Sequence, residues 1–271
     1  MCFGSASHVG IIRKENQDSV YVGRNKFNQT LAVVCDGLGG YKGGKIASSI
    51  VMEMFKYSFL ITDFKRMNEK QIKNWFSDVL QFSKIEIYKT IVNHEIEQND
   101  FSLEKMATTI VCSLFVKEKI HTFWVGDSRA YLINAEKKAQ QITRDHNLYN
   151  YLIDNGASKD IINESKDNLL ALTNIVGTNF GNDSKNSFHF KPFGINVSQS
   201  KNNLFALLCS DGFYNFVDPN EYYGLIVDNC EKKQDNLILV SGELLKIGMQ
   251  RLSNDNLSVV IVNIKNLKNS T

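Results

Sequence analysis

Two apolar strand patterns that run directly into an aspartate constrain the fold of this chain more than any other feature. LAVVCDGLGG, residues 31–40, leads five apolar residues into Asp36, and FALLCSDGF, residues 205–213, leads a second apolar run into Asp211. Short, continuous apolar runs bounded by turn residues are typical of strands that are buried on both faces. The chain must therefore fold around buried sheet that carries carboxylates at its strand ends.

Three more aspartates flank strand patterns. Asp127 follows the apolar run of TFWVGD, Asp255 precedes the last strand pattern, and Asp18 precedes the pattern at 20–22. Asp is a usual turn residue, so one such case carries little information. Several carboxylates at one edge of neighbouring strands, however, would repel one another unless cations neutralised them. Oxygen ligands without Cys or His favour hard divalent ions, so the pattern predicts Mg²⁺ or Mn²⁺.

The periodicity of the sequence predicts a mixture of strands and long amphipathic helices. Strands are predicted at 20–22, 31–35, 109–116, 121–125, 130–133, 204–209 and 257–264, and helices at 45–59, 71–92 and 237–252. The closely spaced strands at 111–115, 122–125 and 130–133 indicate an antiparallel meander. We expect one domain over residues 1–271, with a polar, turn-rich flap subdomain at about 147–200.

Composition and charge exclude several classes of protein. With 43% hydrophobic residues the chain can bury a sizeable core, and a net charge of +2 gives no sign of a nucleic-acid partner. No apolar run approaches the roughly 18 residues that span a bilayer, and the N-terminus lacks a secretory-signal pattern, so we expect a cytoplasmic protein without membrane association. The five cysteines include no CxxC pair, and Cys35, Cys112 and Cys209 lie in apolar, strand-like runs, so we expect these to be buried, reduced thiols.

Seven short motifs occur in order along nearly the whole chain: RKENQDS at 13–19, DGLGG at 36–40, ATT at 107–109, GDSRAYL at 126–132, ITRDH at 142–146, SDG at 210–212 and DN at 255–256. In this order they resemble the metal-dependent protein serine/threonine phosphatases of the type 2C class, and most closely the compact bacterial members. The resemblance implies an α+β fold, a four-layer α-β-β-α sandwich of two antiparallel sheets flanked by helices. It also implies a binuclear centre of Mn²⁺ or Mg²⁺ in a cleft at one edge.

The resemblance also implies the metal ligands. Asp36 is expected to bridge both ions, and the carbonyl group of Gly37 to bind the first. Asp211 and Asp255 are expected to hold the second ion, and Asp127, together with Asp211, a weaker third site.

The chemistry implied by the resemblance is the hydrolysis of phosphoserine and phosphothreonine monoesters. Two cations about 3.5–4 Å apart would share a water and lower its pKa from about 16 toward neutrality, and the hydroxide would attack phosphorus directly. Asp18 would orient the metal-bound water. Arg13 would grip the substrate phosphate, because its planar guanidinium can donate two parallel hydrogen bonds. No phosphoenzyme is expected.

Three positions depart from the family pattern. Leu38 stands where many eukaryotic relatives carry a histidine proposed as the general acid, Gln17 where some members carry Glu, and Asn174 where many carry an arginine. Bacterial relatives commonly have an apolar residue at the first position, so activity is still expected. Asn174 lies in the predicted flap, which is therefore the least typical part of the chain and the part from which substrate choice is hardest to predict.

Two alternatives stay open at this point. The first is a catalytically weak, phosphoprotein-binding regulatory module on the same fold, against which the intact acids and Arg13 argue. The second is a two-metal phosphodiesterase or nuclease, which would need a basic track with aromatic stacking residues. The expected partners are phosphorylated proteins and a cognate serine/threonine kinase, and the expected oligomeric state is a monomer.

Overall fold

The computed structural model describes residues 2–38, 42–177 and 193–265, and within them it contains two five-stranded antiparallel sheets and one small sheet. The first large sheet has the strand order β1 (Phe3–His8), β13 (Leu257–Asn263), β12 (Asn203–Cys209), β8 (Arg129–Asn134) and β9 (Ala139–Gln141). The second has the order β11 (Gly194–Gln199), β7 (Lys119–Val125), β6 (Ile110–Val116), β3 (Thr30–Cys35) and β2 (Ser19–Arg24). The small sheet joins β10 (Val176–Gly177), β5 (Ala107–Thr108) and β4 (Gly37–Leu38).

Helices cover both large sheets. The long helices α1 (Lys42–Ile61) and α2 (Glu69–Gln98) pack on the second sheet, and α5 (Asp211–Tyr214), α6 (Tyr222–Lys232) and α7 (Leu237–Gln250) pack on the first. Two short helices, α3 (Leu148–Asp154) and α4 (Lys159–Glu164), lie in the range predicted as the flap. The order helix, sheet, sheet, helix confirms the predicted four-layer α+β sandwich.

Strand β3 shows why its sequence is apolar at every position. Leu31, Val33 and Cys35 belong to the core between the second sheet and the helices α1 and α2. Ala32 and Val34 face the other way, into the core between the two sheets. All five side chains have no exposed surface. A strand in an inner layer is covered on both faces, so alternation disappears from its sequence.

The predicted meander is wrong in its last strand. β6 and β7 pair as neighbours, but β8 pairs with β12 and β9 in the other large sheet. Gly126, between β7 and β8, has φ +103, a conformation that glycine adopts readily, and the chain crosses between the sheets here. A sheet change leaves no trace in local periodicity, because both strands are apolar and the connection is short.

Several elements were not predicted from the sequence, and the largest of them are β1, β11 and α6. β1 and β11 contain many small or polar residues, and their partners β13 and β7 are remote in sequence. Helix α6 has only Tyr222, Ile226 and Cys230 buried. Strand β11 lies within the range predicted as the flap, yet it forms the edge of a large sheet; residues 178–192 of that range lie outside the described part of the chain.

The remaining structural predictions concern thiols and membranes. Cys35, Cys112 and Cys209 are buried, as predicted, and so is Cys230; no disulfide joins these four residues. In the described residues, no helix combines the length and apolar character that crossing a bilayer requires.

Candidate active site

Strand pairing brings the predicted acidic residues together at one edge of the sandwich. In the second sheet Ser19 pairs with Cys35, so Asp18 and Asp36 are the next residues on two adjacent strands. In the first sheet Cys209 pairs with Val259, which carries the following loop, with Asp211, toward the start of β13 and Asp255. The two sheets stack face to face, so both pairs meet at the same edge.

The backbone of Asp36 is held by two threonines. The Thr109 amide donates to the Asp36 carbonyl oxygen at 2.8 Å, and the Thr108 hydroxyl donates to the same oxygen at 2.7 Å. The Asp36 amide donates to Oγ1 of Thr109 at 3.1 Å. Thr109 also shares a 2.7 Å hydrogen bond with Ser128, the residue after Asp127. The ATT motif therefore positions two of the predicted ligands, a role that sequence reasoning did not assign to it.

Gly37 is required by packing. A β-carbon at Gly37 would overlap the carbonyl group of Gly44 in the first turns of α1 and would lie 2.6 Å from the carbonyl oxygen of Gln17. Such separations are shorter than side chains tolerate, so the strand end and the helix start can approach only with glycine at this position. The backbone of α1 therefore occupies the space beside Gly37.

Asp18 links the two sheets from a fully buried position. Its Oδ2 accepts a 2.8 Å hydrogen bond from the Ser210 hydroxyl, which follows β12. Its Oδ1 is buried and has no hydrogen-bond partner among the residues that the structure describes. Burial raises the pKa of Asp18 to about 6, although the hydroxyls of Ser258 and Ser210 act in the opposite direction. A buried carboxylate oxygen without a donor is costly, so this atom is suited to accept a hydrogen bond from a bound water.

The pKa values of the other carboxylates are also raised, first by burial and then by repulsion between the acids. Burial, followed by the charge of Asp18, Asp211 and the other acids, raises the pKa of Asp36 well above its usual range. Burial and the neighbouring Asp255 raise the pKa of Asp211, and burial and Asp211 raise the pKa of Asp127 to about 7. A cluster of this kind is stabilised by bound cations, which compensate both burial and repulsion.

Arg13 lies at the rim of this cluster. Its Nη2 donates to Asp255 Oδ2 at 2.7 Å, and half of the arginine side chain is exposed to solvent. The pKa of Arg13 is raised chiefly by this hydrogen bond, with smaller contributions from the charges of Asp211 and Asp36. The guanidinium is therefore close to the acids and still accessible to a ligand from outside.

Asn256 fixes the loop that carries Arg13. Its side-chain amide donates to the carbonyl oxygens of Val9 at 2.9 Å and Glu15 at 3.0 Å. Its Oδ1 accepts a 2.9 Å hydrogen bond from the Gln17 amide. One buried side chain thus closes both ends of the loop at 9–15. The sequence signal was the DN motif, but nothing in it showed which backbone groups Asn256 would contact.

Asp127 is supported from the first sheet. The Tyr214 hydroxyl lies 3.5 Å from Asp127 Oδ2, and the guanidinium carbon of Arg129 lies 3.7 Å from the centre of the Tyr214 ring. Arg129 makes a bidentate ion pair with Asp145, with its shortest distance at 2.7 Å. Arg129 is therefore engaged in holding the structure around Asp127.

The donor set fits hard divalent cations, since it consists of carboxylate and backbone oxygens. In residues 2–38, 42–177 and 193–265, however, no three His, Cys, Asp or Glu side chains are arranged to hold one ion. Asp255 is paired with Arg13 in this arrangement. Joint ligation by Asp36, Asp211 and Asp255 would require the Asp255 carboxylate to share or leave that ion pair.

A cavity of about 590 Å³ lies elsewhere on the molecule, between the start of α2 and the β6–β7 turn. Glu69, Lys119 and His121 are among its lining residues, and none of the predicted site residues lines it. The acidic cluster therefore lies at the opposite end of these strands.

Comparison with known proteins places this geometry in context. The family described as Protein phosphatase 2C matches residues 7–257. A Mycoplasma pneumoniae relative named "Putative protein phosphatase" is 44% identical over 265 residues, which cover 97% of this chain and 96% of the relative. The serine/threonine phosphatase stp of Listeria welshimeri is 31% identical, covering 78% of this chain and 77% of its own length. A solved bacterial serine phosphatase is 26% identical with a TM-score of 0.76, covering 97% of this chain and 98% of its own.

Proposed function

This chain belongs to the protein phosphatase 2C family and is a protein serine/threonine phosphatase of that class, and from this premise we propose that it hydrolyses phosphoserine and phosphothreonine monoesters at the Asp36 cluster with two Mn²⁺ or Mg²⁺ ions. The observation that carries the proposal is the convergence of Asp18, Asp36, Asp127 and Asp211 from both sheets beside Arg13. An acidic cluster beside an accessible arginine is suited to cations and a phosphate together.

Bound divalent ions would supply positive charge for the phosphoryl oxygens and a water of lowered pKa as the nucleophile. Asp36, Asp211 and Asp255 would hold them through carboxylates and Gly37 through its carbonyl group, with Asp127 and Asp211 for a third ion. Hydrogen bonds with Thr108 and Thr109 would hold the backbone of Asp36 in place during the reaction.

The side chains of Asp18 and Arg13 have separate tasks. The Oδ1 of Asp18, which has no partner in the described part of the chain, would accept a hydrogen bond from the attacking water and orient it. Arg13 would bind the phosphate through its guanidinium, exchanging part of its contact with Asp255 for the substrate. Phosphate binding by Arg13 would thus free the Asp255 carboxylate to bind a metal ion.

Leu38 cannot donate a proton to the leaving group. An aliphatic side chain has no ionisable proton, so the departing alkoxide would take its proton from water. Turnover should accordingly depend on the acidity of the leaving group.

The proposal is tested by phosphate release from a phosphothreonine peptide and from p-nitrophenyl phosphate, with Mn²⁺, with Mg²⁺ and with a chelator. We expect metal-dependent turnover that falls by at least about 100-fold in Asp36→Asn and Asp211→Asn, since each removes a ligand charge. Lys246→Gln, a change at an exposed ion pair on α7, is the control and should keep full activity.

Two outcomes would contradict the proposal. Full activity of Asp36→Asn would remove the cluster from the chemistry. Hydrolysis of bis-p-nitrophenyl phosphate at rates comparable with the monoester would instead favour a phosphodiesterase. Folding of each variant is checked by thermal denaturation, so that loss of activity is not confused with loss of structure.

We also propose that the protein acts as a monomer and opposes a serine/threonine kinase of the same cell. Its deletion should raise the occupancy of phosphoserine and phosphothreonine sites that this kinase modifies. Quantitative phosphoproteomics of deletion and complemented strains measures this directly, and unchanged phosphosites would contradict it.

A further inference from the structure

Two neighbouring isoleucines are exposed immediately before Arg13. Ile11 is 51% exposed and Ile12 is 67% exposed. Single exposed apolar side chains are normal on protein surfaces. Two in succession, one and two positions before Arg13, are a distinct local feature, and we call Ile11 and Ile12 together the apolar patch.

The loop that presents these side chains is held in a defined conformation. Asn256 binds the carbonyl groups of Val9 and Glu15 on either side of it. Gly10 has φ +82, its amide donates to Nδ1 of His8 at 3.0 Å, and a β-carbon at this position would overlap the carbonyl oxygen of Asp255. The patch therefore has a set position relative to Asp255 and Arg13.

Chain geometry relates this patch to a bound substrate. Consecutive Cα atoms are about 3.8 Å apart in both the loop and an extended peptide. When Arg13 binds the phosphate of a phosphoresidue and the peptide runs alongside the loop, the residues one and two positions along the peptide are spaced to match Ile12 and Ile11. Burial of an apolar substrate side chain there would be favourable, whereas a polar one would leave the patch exposed.

On this basis, and resting on the proposed function, we propose that Ile11 and Ile12 determine substrate specificity by contacting an apolar side chain adjacent to the phosphoresidue. The partner is thus a phosphoprotein segment with a Leu, Ile, Val or Met beside its phosphoserine or phosphothreonine. Arg13 recognises the phosphate, and the two isoleucines recognise its sequence context.

The test compares phosphothreonine peptides that differ only beside the phosphoresidue, with Leu or Asn placed on the N-terminal or the C-terminal side. For each protein, kcat/KM is expressed relative to its own rate on p-nitrophenyl phosphate. Partial burial of one leucine predicts a preference of about five-fold for Leu over Asn on one of the two sides. In Ile11→Gln/Ile12→Gln the preference should fall to about one-fold.

The matched control is Ile238→Gln/Leu239→Gln at the start of α7, where two successive apolar side chains are 48% and 51% exposed and the backbone packs against Gly4, four residues along β1 from His8. This variant should keep the preference of the unsubstituted protein. The proposal is overturned if the unsubstituted protein does not discriminate between the peptides, or if the loop variant keeps the preference. Failure to hydrolyse p-nitrophenyl phosphate or any peptide would instead overturn the proposed function itself, so the two failures are distinguishable.

Discussion

The hydroxyl of Thr109 accepts the hydrogen bond from the Asp36 amide, and this contact is a residue-scale determinant of the site. Replacing Thr109 by Val leaves a buried amide without its acceptor, which costs about 1–3 kcal/mol of stability. We expect kcat to fall by at least about 10-fold, because small displacements of catalytic groups are costly. Urea denaturation and steady-state kinetics measure the two effects.

The control is Thr122→Val, which removes a 2.8 Å hydrogen bond to Ser113 inside the sandwich. Thr122 is as fully buried as Thr109, so the loss of stability should be similar. Its activity at 25 °C should be unchanged. Equal activities of the two variants would show that the position of Asp36 does not depend on Thr109.

Asn256 provides a second residue-scale prediction, since it holds the loop of Arg13. Asn256→Ala removes three hydrogen bonds to the backbone, with a loss of about 1–3 kcal/mol and a rise in KM for phosphopeptides of at least about 5-fold. Asn25→Ala is matched to it, because Asn25 is equally buried and also closes a loop through backbone contacts, far from Arg13. Asn25→Ala should lose stability and keep its KM; a KM unchanged in Asn256→Ala would contradict the role assigned to this clamp.

At the scale of the elements, helix α2 stabilises the second sheet through aromatic packing. Phe76 has no exposed surface, and its ring stacks on Phe123 of β7 at 4.5 Å. Phe76→Ala should reduce the free energy of unfolding by about 3–5 kcal/mol, whereas Phe82→Ala, on the exposed face of the same helix, should reduce it by less than about 1 kcal/mol. If both substitutions reduce the free energy of unfolding equally in urea denaturation, Phe76 is not a main contact between α2 and the second sheet. The activity of folded Phe76→Ala should be retained at 25 °C, because this contact lies in the core between α2 and the second sheet.

At the scale of the whole molecule, the acidic cluster makes the stability of the fold depend on pH. Burial raises the pKa of Asp18 to about 6 and of Asp127 to about 7, above the value of about 3.9 for an unfolded chain. The folded state therefore binds more protons than the unfolded state between about pH 4 and pH 7. The stability contributed by these groups is complete below this window and is lost as pH rises through it.

We accordingly expect the metal-free protein to gain stability on acidification from about pH 8 to about pH 5, and this gain to be smaller in Asp127→Asn, which removes one of the two groups. Thermal denaturation in a chelator measures both proteins. Mn²⁺ should raise the melting temperature more at the higher pH, because its ligands must be deprotonated. If the melting temperatures of both proteins depend on pH in the same way, Asp127 is not one of the groups responsible.

Much of the fold followed from local patterns alone. The strands β3, β6, β7, β12 and β13 and the helices α1, α2 and α7 were all predicted, because each buries a large apolar surface and its sequence shows it directly. The acids at the strand ends were also visible, as was their chemical preference for hard cations.

The sequence by itself therefore determined most strands and helices and the kind of chemistry at their ends, and its resemblance to a known family indicated the four layers. Only the tertiary structure decided which sheet takes β8, how β1 and β11 pair, and which groups hold Asp36 and Arg13 in place. The physical reason is the range of the contacts: Thr108 reaches Asp36 across 72 positions, and Asn256 reaches Glu15 across 241. Hydrogen bonds of this kind are satisfied only when the packed sheets bring donor and acceptor together, so no local pattern can reveal them.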